Sequence, residues 1–381
     1  MVAQSTRPWR VRASVVLLAA ALPLAAAGCE DIFGGARGGA PPLLWRTPLE
    51  AKMSTSDELP ATDGERVYAI AGGMVTFDAR SGAIVWTYKL TFTVPKNATV
   101  RNGRVMAAEG IAFALDAATG QELWRFTPDS HSGFGKSTAD DRAFYFGTAS
   151  HRVYALDQAS GALLWSRDLG PDWKYPGHIK GAAVSGDTLY VTAEQFYAQN
   201  GYISTGWIFA MDRGTGEILW RYQNGEGKDW RTVSSSPTVA GALLLVSDAT
   251  GNSFFAVDRF TGREVWRVIG APGKFGPEYS PVVEDGTAYV ASADNFVYAV
   301  DVHTGQVRWK TRTPASNYGF AVCGSRIFVS WPGLSVLDRN TGRVLYQADE
   351  ESTEYPTSGL VADGDRVFML GNRAAYAYRC N

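Results

Sequence analysis

Short segments in which apolar and polar residues alternate are the clearest pattern along this chain. Residues 152–157 (RVYALD) and 295–301 (NFVYAVD) alternate with a period of two, which is typical of half-buried β-strands. Each segment ends at an aspartate, and a segment that carries tryptophan follows within a few residues. Two further strand-like segments precede, as at residues 279–284 and 287–292, which an Asp-Gly turn at 285–286 separates. The pattern predicts units of four antiparallel strands, labelled A to D in chain order.

One motif, Asp-x-x-(Ser/Thr)-Gly-x-x-x-Trp, joins strands C and D in these units, and its last copy carries Tyr in place of Trp. Successive aspartates lie 37 to 55 residues apart, which is the length of one four-stranded propeller blade. Asp and Ser/Thr can bond the amides of a tight turn, and Gly supplies a positive φ. The large ring is expected to pack between neighbouring blades. The copies are Asp78/Gly82/Trp86, Asp116/Gly120/Trp124, Asp157/Gly161/Trp165, Asp212/Gly216/Trp220, Asp258/Gly262/Trp266, Asp301/Gly305/Trp309 and Asp338/Gly342/Tyr346.

The two ends of the repeat region supply an eighth unit. Residues 355–379 provide strands A, B and C, but the chain stops before a strand D. Residues 43–47 match the pattern of a strand D, and no complete unit precedes them. Trp45 takes the position of the motif tryptophan that packs between blades, which we call the wedge position. We therefore predict an all-β fold, one eight-bladed β-propeller over residues 43–381. The N-terminal strand is expected to pair with the three C-terminal strands, which leaves no open sheet edge in the ring.

Composition, charge and the absence of known catalytic motifs narrow the range of functions further. The 41 Gly and 12 Trp among 381 residues suit many turns between short strands, and a formal net charge of −2 argues against nucleic acid as a partner. The histidines are far apart and do not have the spacing of zinc ligands. No nucleophile elbow or phosphate loop is present either. We predict no metal, no cofactor and no catalytic activity. The histidines are His131, His151, His178 and His303.

The N-terminus carries an export signal. Three arginines precede the apolar stretch 13–27, which is too short to span a bilayer but suits a secretory signal peptide over residues 1–28. Residues 24–29 (LAAAGC) resemble the lipobox of bacterial lipoproteins, and that resemblance implies lipidation of Cys29. Residues 29–42 are then a lipidated cysteine and a flexible tether. Glu30 after the cysteine favours the outer membrane. The alternative is an ordinary signal peptide, which leaves Cys29 as a plain thiol.

With Cys29 lipidated, Cys323 and Cys380 remain as an even pair in an oxidising compartment. Cys323 falls in the A–B turn of blade seven and Cys380 follows strand C of blade eight. These connections emerge on the same face of adjacent blades, so we predict a disulfide that fastens the C-terminus. The alternative is two unpaired thiols.

The repeat and its upstream Tyr-Ala-Leu-Asp resemble the quinoprotein propellers over residues 43–380. A lipoprotein anchor and a bare propeller resemble the BamB family, the propeller subunit of the outer-membrane β-barrel assembly machinery. The resemblance implies a non-catalytic, periplasm-facing scaffold, monomeric alone, that docks on the barrel-inserting subunit. Quinone-dependent dehydrogenases of this superfamily typically carry an adjacent Cys-Cys disulfide and a calcium site, whereas Cys323 and Cys380 are far apart. A ligand-binding sensor and a PQQ-dependent dehydrogenase remain the alternatives.

Long connections in blades three to five mark a candidate docking surface. Blade four has the longest spacing, because of a long loop at 171–180 and a long B–C hairpin at 194–205. Exposed aromatic and arginine side chains commonly anchor protein interfaces. We predict a partner-docking patch formed by Trp173, Tyr175, Phe196, Tyr197, Tyr202, Trp230 and Arg231. The alternatives are a lid over the central channel and an anion site at the channel mouth, the latter formed by Lys136, Lys180 and Arg231.

Overall fold

The structure is a computed structural model. It describes residues 39–49, 59–90, 95–129, 135–170, 177–198, 202–225, 231–248, 250–270, 280–292, 294–313, 319–330, 333–348, 356–371 and 373–381. The predicted signal peptide and Cys29 lie outside these residues. The described part of the chain contains no helix long and apolar enough to cross a bilayer.

Thirty-two β-strands follow one another along the described residues. The first strand is β1 (Leu43–Pro48). Blade one contains β2 (Ala61–Thr62), β3 (Arg66–Ile70), β4 (Met74–Asp78) and β5 (Ile84–Tyr88). Blade two contains β6 (Ala98–Arg101), β7 (Arg104–Glu109), β8 (Ile111–Asp116) and β9 (Glu122–Phe126). Blade three contains β10 (Thr138–Ala139), β11 (Ala143–Gly147), β12 (Arg152–Asp157) and β13 (Leu163–Asp168).

The remaining blades repeat this order. Blade four contains β14 (Gly177–Ser185), β15 (Thr188–Ala198), β16 (Tyr202–Asp212) and β17 (Ile218–Asn224). Blade five contains β18 (Thr238–Ala240), β19 (Leu243–Asp248), β20 (Ser253–Asp258) and β21 (Glu264–Ile269). Blade six contains β22 (Val282–Glu284), β23 (Thr287–Ser292), β24 (Phe296–Asp301) and β25 (Val307–Arg312). Blade seven contains β26 (Gly319–Cys323), β27 (Arg326–Ser330), β28 (Leu334–Asp338) and β29 (Val344–Gln347). Blade eight contains β30 (Pro356–Asp363), β31 (Arg366–Gly371) and β32 (Ala374–Arg379).

The N-terminal strand completes blade eight. Strand β1 pairs antiparallel with β32, with Trp45 opposite Ala377, and the sheet order is β1-β32-β31-β30. The A strands of neighbouring blades contact one another around the ring, and β30 contacts β2. The predicted eight-bladed propeller and its closure by the N-terminal strand are therefore confirmed. Each blade packs its buried faces on the next, as where Tyr68 of blade one lies in one apolar cluster with Phe113 of blade two.

The repeated aspartate caps the turn between strands C and D. In blade two the Asp116 Oδ1 accepts hydrogen bonds from the Thr119 amide (2.8 Å), the Thr119 hydroxyl (2.8 Å) and the Ala118 amide (3.1 Å). These donors stabilise the ionised carboxylate, and the Thr119 hydroxyl is the largest cause of the lowered pKa of Asp116. The motif aspartates therefore hold turns.

Each wedge tryptophan fastens its blade to the next one. The Trp86 Nε1 of blade one donates to the Ala117 carbonyl of blade two at 3.1 Å. A Cβ on Gly120 would lie 2.6 Å from the Trp86 ring, and Gly120 has a φ of +72°. Six further pairs repeat this contact: Trp45 on Gly82, Trp124 on Gly161, Trp165 on Gly216, Trp220 on Gly262, Trp266 on Gly305 and Trp309 on Gly342.

The seam between blades seven and eight is built differently. Blade eight has no C–D turn, because its strands C and D come from opposite ends of the chain. The preceding wedge position holds Tyr346, which is buried in the same apolar cluster as Cys323 and Cys380. The two cysteines form a disulfide, with their Cα atoms 5.6 Å apart. This bond links the residue after β32 to the last residue of β26, so Cys323 lies at the end of strand A, directly before the A–B turn in which it was predicted.

Candidate docking surface

Strand direction divides the connections between two faces of the ring. The D-to-A connections and the B–C hairpins emerge on one face, which we call the loop face. The A–B and C–D turns, including the motif turns and the disulfide, emerge on the other, which we call the turn face. The connections of variable length are therefore collected on the loop face, where binding residues of such scaffolds usually lie.

Blade four extends farther on the loop face than its neighbours do. Its strands β15 and β16 have 11 residues each, against the five or six of the B and C strands of other blades. Strand β14 pairs with β15 up to Gln195, and β17 pairs with β16 only from Gly206 onwards. Beyond these points, among the residues that the structure describes, β15 and β16 pair only with each other, up to Ala198 opposite Tyr202. We call residues 196–198 and 202–205 the ribbon.

The structure confirms one expectation for blade four and corrects another. The long hairpin predicted at 194–205 is present as paired strand on both sides of residues 199–201, which lie outside the described residues. The predicted loop at 171–180 ends earlier, since strand A of blade four begins at Gly177.

The seven residues of the predicted docking patch fall into three groups. Trp173, Tyr175 and Trp230 lie outside the described residues. The backbones of Phe196, Tyr197 and Tyr202 lie in the ribbon, where Phe196 pairs with Ser204 and Tyr197 with Ile203. Arg231 follows blade four, and its carbonyl accepts a hydrogen bond from the Gly206 amide at 2.7 Å. Arg231 and the ribbon are therefore adjacent.

A buried polar network supports the loop face beside Arg231. Asp248 is fully buried and accepts hydrogen bonds from the Thr232 amide (3.1 Å) and the Gly251 amide (2.8 Å). The Arg267 guanidinium lies 3.8 Å from Asp248 and donates to Glu264 at 2.6 Å. Burial acts to raise the pKa of Glu264. Hydrogen bonds from Arg267 and Tyr222, together with the charges of Arg267 and Arg231, outweigh this effect and lower the pKa. The network fixes the first residues after blade four.

Basic residues of blades two to four occupy a separate place near the channel. The Lys136 amide donates to the Lys180 carbonyl at 2.9 Å, and the Lys180 Nζ lies 2.6 Å from the buried Glu194. The pKa of His178 is lowered by burial first, and then by the charges of Lys180 and Lys96. Lys96 was missed in the sequence because it lies in an earlier blade. The Arg231 carbonyl accepts a hydrogen bond from the Gly206 amide, and Gly206 lies opposite Glu194 in the β15–β16 register. An anion site that includes Arg231 with Lys136 and Lys180 stays a prediction.

The described residues show neither of two features typical of calcium-bound quinone enzymes, an adjacent cysteine pair and a cluster of metal ligands. The chain has no adjacent cysteines, and the Cys323–Cys380 disulfide fastens the turn face at the seam of blades seven and eight. Within the described ranges, no group of three or more His, Cys, Asp or Glu side chains could hold a metal ion.

Comparisons with known proteins match this chain to proteins of the PQQ-like propeller repeat. A family model described as outer membrane protein assembly factor BamB matches residues 37–172, 108–252 and 204–331. BamB of Yersinia pestis is 25% identical over 276 residues, which cover 68% of this chain and 64% of that protein. A 1-butanol dehydrogenase (quinone) of Thauera butanivorans is 26% identical over 62% of this chain and 39% of its own length.

A further relative is the serine/threonine-protein kinase AfsK of Streptomyces coelicolor, 27% identical over 71% of this chain and 31% of that protein. The chain thus spans 31% to 64% of these relatives' lengths.

Solved structures share the fold. BamB of Moraxella catarrhalis superimposes with a TM-score of 0.67 at 17% identity, over 89% of this chain and 100% of that chain. A quinohemoprotein alcohol dehydrogenase of Comamonas testosteroni gives a TM-score of 0.68 at 15% identity, over 89% of this chain and 76% of that one. The repeat, the closed ring and the family match lead to one classification. This chain belongs to the family of PQQ-like β-propellers described as outer membrane protein assembly factor BamB.

Proposed function

We propose that this protein is a non-catalytic scaffold that binds a membrane protein partner and assists assembly of outer-membrane β-barrel proteins. In this proposal the chain is exported, cleaved before Cys29 and anchored to the outer membrane by lipid on that cysteine, facing the periplasm. The family match and the similarity to BamB of Yersinia pestis support the proposal.

The ribbon of blade four is the observation that carries the proposal. A two-stranded ribbon is marginally stable in water unless another surface covers it. Here it extends past both neighbouring strands and carries Phe196, Tyr197 and Tyr202. Tyr and Trp often supply most of the binding energy at protein interfaces. A ribbon of this kind, on the face with the longest connections, suits a protein partner better than a small substrate.

The direction of β1 indicates on which face of the propeller the N-terminal tether joins. D strands run from the turn face to the loop face, so β1 begins at Leu43 on the turn face. A lipid on Cys29 therefore attaches to the chain on the turn-face side. In this proposal the tether joins the propeller on the turn face and leaves the loop face accessible to a partner.

Affinity capture tests the proposal. The tagged, membrane-anchored protein is isolated from gently solubilised membranes, and co-purifying proteins are identified by mass spectrometry. We expect the barrel-inserting subunit in the wild-type sample and its loss with Trp173→Ala/Trp230→Ala, because both aromatic anchors are removed. The matched control is Phe260→Ala, since Phe260 is 64% exposed on the turn face and is expected to leave capture unchanged.

Two results would count against this proposal. Capture without any barrel-assembly subunit, from an extract in which that machinery is intact, would favour a ligand-binding or sensor propeller. A Trp173→Ala/Trp230→Ala protein that loses thermal stability but retains the partner would remove the patch from the account.

A quinone-dependent dehydrogenase is the second candidate, because the Thauera butanivorans relative is about as similar as BamB of Yersinia pestis. Addition of the quinone and calcium to the purified protein tests it. We expect neither a bound absorbance band nor dye reduction with alcohols, since the chain has no adjacent cysteine pair to place against the quinone. Dye reduction that depends on the quinone would establish the enzyme instead.

A further inference from the structure

Three lysines lie at the loop-face start of strand A in blades two, three and four. Lys96 comes two residues before β6, Lys136 two residues before β10, and Lys180 lies in the first half of β14. The corresponding starts in blades one and six hold Leu59 and Ser280. Blades two, three and four thus carry a lysine where blades one and six carry a neutral residue, and we call Lys96, Lys136 and Lys180 the lysine arc.

Hydrogen bonds between the strand starts place these lysines side by side. The Asn97 side chain accepts from the Ser137 amide (2.9 Å) and donates to the Ser137 carbonyl (3.1 Å), which joins blades two and three. The Lys136 amide donates to the Lys180 carbonyl (2.9 Å), which joins blades three and four. The backbone itself therefore holds the lysine arc together.

Charged groups from blades two and four lie close enough to act on the same side chain, His178. Glu194, 7% exposed, forms an ion pair with Lys180 at 2.6 Å. Lys180 and Lys96, from blades two apart, both lower the pKa of His178, whereas Glu194 raises it. Burial lowers this pKa most. The shift shows that Lys96 and Lys180 both lie near enough to act on one imidazole, although they belong to different blades.

We propose that the lysine arc, Lys96, Lys136 and Lys180, binds an acidic peptide segment whose carboxylates contact the ammonium groups of successive blades. An extended chain rises about 3.3 Å per residue and presents alternate side chains on one side, so its carboxylates repeat about every 7 Å. A row of separated ammonium groups suits such a series better than one small anion. Positive potential at a concave site also concentrates acidic ligands. The binding activity does not depend on the scaffold proposal.

Calorimetric titration of the full chain with an octaglutamate peptide at low salt tests the site. We expect the variant Lys96→Gln/Lys136→Gln, which keeps the Lys180–Glu194 pair, to bind about tenfold more weakly. Arg263→Gln/Arg343→Gln removes two exposed charges from the turn face and is the matched control, with affinity expected within about twofold of wild type. Glu194→Gln removes the opposing carboxylate and is expected to tighten binding.

Nuclear magnetic resonance of His178 supplies a second readout, since bound carboxylates oppose the lysine charges and are expected to raise its pKa. Equal binding by wild type and Lys96→Gln/Lys136→Gln, at unchanged melting temperature, would overturn the proposal. So would equal binding of octalysine, or tight binding of citrate that octaglutamate cannot displace, which would indicate a site for small anions.

Discussion

At the scale of single residues, the glycine of each repeat meets two separate constraints. Gly120 has a φ of +72°, a conformation that other residues rarely adopt, and its Cα faces the Trp86 ring of the preceding blade. The sequence indicated the first constraint through the turn motif. The second links blades, because the glycine of one copy makes room for the tryptophan of the copy before it.

Gly120→Ala separates these two constraints when it is compared with Gly103→Ala. Gly103 has a φ of +68° with no atom within 4 Å of an added Cβ, so its substitution costs only backbone strain, about 1 kcal/mol. Gly120→Ala adds overpacking against Trp86 and is expected to cost about 2 to 4 kcal/mol in total. Urea unfolding measures both. Equal losses for the two variants would show that the tryptophan contact contributes nothing.

The motif aspartates predict a pH dependence. The pKa of Asp116 is lowered in the folded protein, mainly by the hydrogen bond from the Thr119 hydroxyl. Its contribution to stability is therefore complete above the unfolded pKa of about 3.9 and is lost as pH falls through the lower folded value. We expect the urea midpoint to decline below about pH 4. Asp116→Asn and Thr119→Ala should both make that decline shallower, and an unchanged slope in both would contradict this assignment.

At the scale of structural elements, each seam depends on strand D of one blade and the C–D turn of the next. The turn is missing only in blade eight, where the two chain ends meet. There the wedge is Tyr346, and the disulfide from Cys323 to Cys380 crosses the seam. The covalent bond thus takes over the fastening that a motif turn provides elsewhere.

Removal of the disulfide tests this interpretation. We expect Cys323→Ser/Cys380→Ser to lower the free energy of unfolding by about 2 to 5 kcal/mol, as is usual for a native disulfide. Wild type in reducing agent should behave in the same way, and the variant should not respond to reductant. A variant as stable as oxidised wild type would show that blade eight is held by strand pairing alone.

At the scale of the whole molecule, closure of the ring makes the first and last strands interdependent. Strand β1 covers the edge of β32, and the Trp45 Nε1 donates to the Ala79 carbonyl of blade one at 3.1 Å. Blade eight is therefore held on both sides only when the N-terminal strand is in place. Without β1, β32 would present an unpaired edge that can pair with other chains.

Truncation tests that dependence. A chain that starts at Leu49 lacks β1 and is expected to form soluble oligomers or aggregates and to melt at a lower temperature than a chain that starts at Gly39. Size-exclusion chromatography with light scattering and a thermal melt measure both effects. A monomer with an unchanged melting temperature would mean that the ring does not need its eighth D strand.

The fold could be predicted from the sequence because its information is local and repeated. The Asp, Gly and Trp positions recur at one internal spacing, and Trp45 before the first full copy implied closure. The docking surface could be predicted less well, because the loop face has no repeat to compare. The hairpin at 194–205 could be predicted from the long spacing of blade four, whereas Lys96 acts on His178 only across two blade boundaries and has no signal in the sequence.

Site-specific photo-crosslinking in membranes tests the central claim, that the loop face of blade four binds the barrel-inserting subunit. A benzoylphenylalanine side chain is introduced in place of Tyr197 in the ribbon and, in a separate protein, in place of Phe260 on the turn face. We expect a crosslink to that subunit from position 197 and none from position 260. A crosslink from position 260 with none from position 197 would contradict it.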